Sequence, residues 1–427
     1  MSIRTLGASA CAHRLLSVAA IALVVNGTIA GGVAAAQPLS MRTALVRALD
    51  ADFGASATAS RIEGAQAGVR QAGRGPNPTI GAEVENFAGT GAYRGLRAPQ
   101  TTLYAQQQFE LGGKREARTT VARSELESTR MRGSLRALDL FREVEVAWID
   151  VAAATAQIKV AEDRLTIARQ LEGEIARRAE SGRDPSYLQS RAEAQVAVEQ
   201  IAVDQGKVAA RIARVNLAGY WRGGANFQPD IDAFEKVAPP TAGKPVFNVD
   251  VALLQTEREL AAARVTLERA RGIPDPAVRV GVRYLGETQD TALVAGISIP
   301  LPIFDSNQGN IDRAVANRRA ADFDIAAAKV VLRRELTRLQ ARMVANATEA
   351  RRINNEVVPV AERAVRLIRE GMERGGFSYV EFTDAQRTLS DARLRRIEAI
   401  KAYHLDMAAL NRLTGRHMNL LSHIGSR

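Results

Sequence analysis

Apolar positions recur along this chain in two rhythms: long stretches at a helical period and short stretches at a period of two. In the first long stretch Leu140, Val144, Ala147, Val151, Ala154, Ile158, Ala161, Leu165 and Ala168 alternate steps of four and three. In the second, Leu332, Leu336, Leu339, Met343, Asn346, Ala350, Ile353, Val357 and Val360 do the same, each 192 residues after its counterpart. A sustained 3.5-residue period predicts long helices in left-handed coiled-coil packing. One such stripe is what any helical bundle shows; two in a single register mark a duplicated unit. The helical tracts are predicted over 114–179 and 308–373, each about 100 Å long at about 1.5 Å per residue. Pro359 is expected to kink the second. Shorter helices are predicted over 186–220, 378–414, 39–73 and 249–271.

The short rhythm predicts four strands, near 79–87, 101–111, 277–285 and 291–301. Pro76-Asn77-Pro78 opens the first pair and Pro274-Asp275-Pro276 the second. Ile80, Ala82 and Val84 share a face opposite Glu83 and Glu85; Leu103, Ala105, Phe109 and Leu111 lie opposite Tyr104, Gln106, Gln108 and Glu110. Val278, Val280, Val282 and Tyr284 lie opposite Arg279 and Arg283, and Leu293, Ala295, Ile297 and Ile299 opposite Val294, Gly296 and Ser298. An apolar face backed by a polar one suits a barrel in lipid with a wet lumen, and equally a hairpin lying on a soluble core. Membrane barrels need about eight or more strands, so a barrel here requires several chains. The lumen would then hold Glu83, Glu85, Arg279 and Arg283.

The fold class expected is mainly α with a small β part, built from a duplicated strand–strand–long-helix unit. Residues 37–220 form the first repeat, 221–248 a Gly/Pro-rich linker or small subdomain, 249–415 the second repeat and 416–427 a tail. Residues 1–36 read as a cleaved secretory signal: Arg4 and Arg14 precede an apolar run over 15–25, and Ala34-Ala35-Ala36 offers a cleavage site. That run is well short of the roughly 20 residues a membrane-spanning helix needs. No later segment is apolar enough to be one.

Composition narrows the chemistry. Aromatic residues are 5% of the chain, which disfavours an aromatic-rich all-β protein. Its single cysteine, Cys11, precedes the apolar run, which excludes an intrachain disulfide framework and a lipid-acceptor role. His13, His404, His417 and His423 are too scattered for a metal cage. Gly112-Gly113-Lys114-Arg115 lacks phosphate-loop spacing, and no H-E-x-x-H or G-x-S-x-G occurs. No enzyme, metal site or cofactor is expected. Lys+Arg 58 against Asp+Glu 47 gives a net charge of +11, but the basic residues are interspersed with acids along helices. A solvated helix face accounts for them better than nucleic acid does.

The duplicated order, with Phe109-Glu110-Leu111-Gly112-Gly113-Lys114-Arg115 and Gly296-Ile297-Ser298-Ile299-Pro300-Leu301-Pro302-Ile303-Phe304-Asp305, resembles the TolC-like outer-membrane efflux channel family over essentially the whole mature chain. The last run, followed by Asn307-Gln308-Gly309-Asn310, is similar to the cobalt–zinc–cadmium branch. The resemblance implies a homotrimer in the outer membrane of a Gram-negative bacterium. Its strands would join in one 12-stranded barrel in outer-membrane lipid, above a helical periplasmic tunnel. A periplasmic adaptor would link the tunnel to an inner-membrane pump of the resistance–nodulation–division type, and divalent metal cations are the implied cargo.

The family pattern Val-Asp-x-x-Asp-Ala falls on Val380-Glu381-Phe382-Thr383-Asp384-Ala385, which implies that Glu381 and Asp384 form acidic rings at the periplasmic aperture. Read alone, both are ordinary first-turn acids at a helix N-terminus. The helix turns Gly182, Arg183, Asp184, Pro185, Ser186, Tyr187 and Gly375, Gly376, Phe377, Ser378, Tyr379 are implied to dock the adaptor. Two alternatives stay open: a channel for organic compounds or secreted polypeptides, and a soluble periplasmic coiled-coil scaffold.

Overall fold

The computed structural model describes residues 38–238 and 247–421. The expected signal, residues 239–246 of the linker and residues 422–427 of the tail lie outside the described residues. The elements in order are α1 (Met41–Ala51), α2 (Phe53–Ala72), β1 (Thr79–Glu85), β2 (Gln100–Gln108), α3 (Lys114–Glu180), α4 (Ser186–Gly219), α5 (Ile231–Glu235) and α6 (Val249–Arg271). Then come β3 (Ala277–Leu285), β4 (Asp290–Ser298), α7 (Gln308–Arg352), a π-turn (Ile353–Val357), α8 (Val358–Glu373), α9 (Tyr379–Thr414) and α10 (Met418–Leu421).

The strands form one antiparallel sheet in the order β1-β2-β3-β4. Ile80 pairs with Ala105 and Ala82 with Leu103. Leu103 in turn pairs with Val282, which pairs with Leu293. The apolar side chains of all four strands therefore stand on one face, as the alternation predicts. Among the described residues no element covers that face: Leu293 is 88% exposed and Ile80 81%. Strands β1 and β4 leave both edges open. Three strands are shorter than expected; β2 ends at Gln108 because Phe109 and its successors turn toward Asp275.

Next to the sheet, helices pack in the order α2–α3–α6–α7; toward the far ends the order becomes α4–α3–α9 with α7 and α8. Each side of this array again ends on an element with one free flank. The main core sits midway along α3, where Phe141, Val144, Trp148, Ile149 and Val151 meet α1, Leu217, Phe234 and Ile400. The buried Trp148 indole N–H donates to the Leu39 carbonyl at 2.8 Å, and the Leu39 N–H donates to Gln228 O at 2.7 Å. Those two bonds thread the N-terminal segment past the Gly/Pro-rich stretch, so 221–238 packs as a small subdomain around α5. A second apolar cluster lies near the ends of α3 and α8.

Two helix expectations need correction. The single helix expected over 39–73 is two helices broken at Asp52, whose carboxylate accepts from Gly54 N–H at 2.9 Å and starts α2. The second long tract is interrupted by the π-turn two residues before Pro359. Proline has no N–H for the carbonyl four residues earlier and its ring crowds that carbonyl; widening the preceding turn relieves both. The turn also inserts one residue into the apolar register. Buried positions after it are Ala361, Val365 and Met372, while the expected Val357 and Val360 are 44% and 60% exposed.

Candidate functional site

Three surfaces gather the residues singled out above: the polar face of the sheet, the two helix turns at the far end, and the start of α9. On the sheet, Glu83, Glu85, Arg279 and Arg283 all point to the face opposite the bare apolar one. Arg279 pairs with Glu83 at 3.2 Å and lies 4.6 Å over the Tyr104 ring. Arg283 pairs with Glu85 at 3.0 Å and also donates to Thr102 Oγ1 at 2.9 Å and Gln100 Oε1 at 3.2 Å. Both carboxylates sit on β1 and both guanidiniums on β3, two strands apart, so the pairs cross over β2. Thr102 and Gln100 were not singled out from sequence, although the same alternation placed them on this face.

The two far-end turns differ in build. After α3, Gly182 takes φ +71°, and Arg183 N–H donates to Arg178 O at 2.8 Å. The Arg178 guanidinium then grips Asp184 through two bonds, 2.7 and 3.1 Å, and reaches across to the Met372 carbonyl at 3.2 Å. Arg178 was missed from sequence; an arginine and an aspartate flanking a glycine turn were the available signal. After α8, Gly375 takes φ +81° and Gly376 N–H donates to Gly371 O at 2.8 Å. Gly371 lies against the Phe377 ring and leaves no room for a side chain of its own. The turns' tyrosines also part company: Tyr187 is 65% exposed, whereas Tyr379 is 7% exposed and packs in the second apolar cluster under the Arg191 guanidinium.

At the start of α9, Glu381 and Ser378 form a reciprocal cap. Ser378 N–H donates to Glu381 Oε2 at 2.7 Å, Ser378 Oγ–H to the same oxygen at 2.8 Å, and Glu381 N–H to Ser378 Oγ at 3.3 Å. The backbone and then the side-chain bond from Ser378 hold the Glu381 carboxyl below its usual range. Asp384, one helical turn on, is exposed and its carboxylate has no protein partner among the described residues. It lines a cleft of about 600 Å³ between α4 and α9, shared with Arg191, Glu199 and Arg387. The two acids therefore differ: one is engaged in ending a turn, the other is free. Among the described residues no group of three or more His, Cys, Asp and Glu side chains could hold a metal ion.

Where the sheet meets the helices, sequence reasoning missed a network. Lys114 Nζ lies 2.6 Å from Asp275 Oδ1, which also accepts from Leu111 N–H at 2.9 Å. Glu110 accepts from Arg118 at 2.6 Å and Arg115 at 3.3 Å. Burial alone would raise the Asp275 carboxyl, but the bonds from Lys114 and Leu111 outweigh it and hold it low.

Comparison with known proteins agrees with this architecture. The family model for outer membrane efflux proteins matches residues 44–222 and 247–416, and the chain belongs to that family. It is 29% identical over 395 residues to the cobalt-zinc-cadmium resistance protein CzcC of Cupriavidus metallidurans, covering 90% of this chain and 91% of that one. It is 28% identical to the nickel-cobalt-cadmium resistance protein NccC of Alcaligenes xylosoxydans xylosoxydans, over 62% of this chain and 61% of that one. Among solved structures, CusC superposes with a TM-score of 0.68 at 16% identity, over 87% of this chain and 91% of that one. The outer membrane protein VceC of Vibrio cholerae superposes with a TM-score of 0.68 at 20% identity, over 88% and 96%. Membership of the family sets aside the soluble scaffold.

Proposed function

We propose that this outer membrane efflux protein is the exit duct of a tripartite system for divalent metal cations, and that it works as a homotrimer. The observation that carries the trimer is the sheet: an apolar face with no cover and two open edges. In water such a sheet is an aggregation template; in lipid, closed on itself with neighbours, both defects vanish. The bare apolar face then meets acyl chains, and the Glu83–Arg279 and Glu85–Arg283 pairs line a hydrated lumen. Similarity to CzcC across nearly the whole chain carries the cargo.

The helices would continue that lumen as a tunnel. At its far end the free Asp384 carboxylates of three protomers would ring the axis and concentrate cations. Glu381 contributes its charge at the same level, but its carboxylate is committed to Ser378. The turns at 182–187 and 375–379 would receive a periplasmic adaptor, with Tyr187 and Phe377 as the exposed aromatic contacts. An inner-membrane pump of the resistance–nodulation–division type would supply the energy.

The test is growth of a deletion strain, with and without the restored gene, on zinc, cobalt, cadmium, nickel and copper beside detergents, dyes and antibiotics. Sensitivity confined to one or a few metals is expected. Sensitivity confined to organic compounds would overturn the cargo and leave the channel.

A further inference from the structure

The chain contains one copy of a junction whose second copy is unfilled. Within the protomer, β2 runs out against the start of β3, and the backbone that follows is caught by Pro274-Asp275-Pro276. Phe109 N–H donates to Pro276 O at 2.9 Å and Leu111 N–H to Asp275 Oδ1 at 2.9 Å. Lys114 Nζ closes the clasp on Asp275 and on the Ile273 carbonyl. The repeat supplies the same parts again on the two outer edges. Pro76-Asn77-Pro78 stands before β1 as Pro274-Asp275-Pro276 stands before β3, 198 positions apart. Ile299 and Leu301 follow β4 as Phe109 and Leu111 follow β2, 190 positions apart. These two sets lie on opposite edges of the sheet, so they cannot meet within one chain.

Three observations mark them as halves of one contact. Asn77 is exposed, and its side chain has no partner among the described residues. The segment after β4 is bare: Ile299, Leu301 and Ile303 are exposed and Phe304 fully so. The charges change together. At the internal junction an aspartate meets Lys114, the first residue of α3; in the outer set Asn77 replaces the aspartate, and the first residue of α7 is the neutral Gln308. Losing one partner alone would strand a charge in a tight junction, whereas losing both leaves the junction neutral.

We infer that Asn77 of one protomer clasps the backbone at Leu301 of the next, with Phe304 seated against Gly75 and Pro76. The inference rests on the trimer proposed above and names the contact that completes each subunit boundary. Ile299 N–H donates to the neighbour's Pro78 carbonyl, and Leu301 N–H to its Asn77 Oδ1. Gly75 corresponds to Ile273, beside Lys114 in the internal junction, and it opens onto a cleft of about 660 Å³ between α2 and α3, whose floor of Gly68, Ala72 and Val121 is flanked by the paired Glu110 and Arg118. The connection from strand to helix covers 109–113 in the first repeat and 299–307 in the second. The longer loop is what lets an apolar ring reach across a subunit boundary.

The full chain, exported and purified in detergent, carries the test. Asn77→Cys with Leu301→Cys in one chain is expected to give covalent dimers and trimers on mild oxidation, and either single variant only monomers. Thr79→Cys with Ser298→Cys reports ring closure by the strand edges themselves. Cross-linking of the edge pair without the 77–301 pair would overturn the clasp and leave the trimer standing. Monomers by light scattering, with neither pair linked, would overturn both. Asn77→Asp should lower the fraction of trimer that survives warming in detergent by several-fold, and adding Gln308→Lys should restore it by rebuilding the internal pair. An Asn77→Asp trimer as durable as wild type would sink the clasp.

Discussion

The first long tract is one helix of 67 residues; the second spans the equivalent course as 45 residues of α7, a π-turn of 5 and 16 residues of α8. Up to Ile353 every stripe position in the second tract lies 192 residues after its counterpart. Beyond the π-turn the offset becomes 193, as Gly182 and Gly375 show; past the turn it returns to 192, as Tyr187 and Tyr379 show. Between the stripe and the turn glycine the second half thus carries one residue more than the first, and between that glycine and the tyrosine one residue fewer. The gain rotates α8 by one helical position, about 100°. Val358, Ala361, Val365, Ile368 and Met372 then face α3 and α9, and Val357, Val360, Ala364 and Leu367 face outward. In the trimer proposed above that outward face would be available to the neighbour's α4, on which Val198, Ile201, Val208, Ile212 and Val215 are exposed. The first half has no such need, because both flanks of α3 are covered within its own chain.

Removing the inserted residue breaks this comparison most severely. Deletion of Asn355 should restore a continuous α-helix and turn α8 back by about 100°. Val365 and Met372 would leave the core, and Arg369 would lose Glu174, now 2.9 Å away. The expected result is loss of trimer on size exclusion and of metal resistance in the complemented strain. Inserting one residue after Gly376 in the same chain gives the second half the glycine-to-tyrosine spacing of the first, and should recover part of both.

Much of this was legible beforehand. The stripes, the duplicated unit, the strand faces and the starts of α6, β3, β4, α7 and α9 to within a residue or two follow from the sequence pattern. The rotation of α8 did not, because two apolar stripes run side by side there and local pattern cannot choose between them. The deciding signal lay in two offsets, 193 for the turn glycines and 192 for the tyrosines, and only their disagreement betrays an insertion. The break at Asp52 was hidden for a related reason: no proline or central glycine marks it, and its cause is a side-chain cap. Of the residues named for function, Glu83, Glu85, Arg279 and Arg283 share the polar sheet face that alternation gave them. The carboxylates at 381 and 384 were not told apart, although Ser378-Tyr379-Val380-Glu381 carries the capping-box spacing that sets Glu381 aside from Asp384.

A milder test compares two positions in one register, Leu165 and Val357. Leu165 is 7% exposed in the first tract and Val357 44% in the second. Leu165→Ala should destabilise the protomer by about 2–4 kcal/mol, through lost burial and a residual cavity. Val357→Ala should leave monomer unfolding in denaturant within about 0.5 kcal/mol of wild type, since it faces out. Its effect should appear as faster dissociation of the trimer on dilution. Equal destabilisation of the monomer by both substitutions would mean that the rotation of α8 is wrong.

The smallest effect separates the two turns by pH. The first is held by the Arg178–Asp184 pair, the second by the Ser378–Glu381 cap. The Glu381 carboxyl is lowered in the native state relative to its ordinary value of 4.5. A group lowered in this way stabilises the fold at neutral pH, and that contribution fades as pH falls from the ordinary value through the native one. Hydrogen exchange at the first-turn amides of α9 reads it locally. At neutral pH, Glu381→Ala should quicken exchange there by about threefold, the scale of one helix cap. The gap between variant and wild type should begin to narrow near pH 4.5 and close below the native value, while the amides at 183–188 keep their ratio throughout. A gap that persists unchanged to pH 3 would show that the carboxylate's charge has no part in holding the second turn.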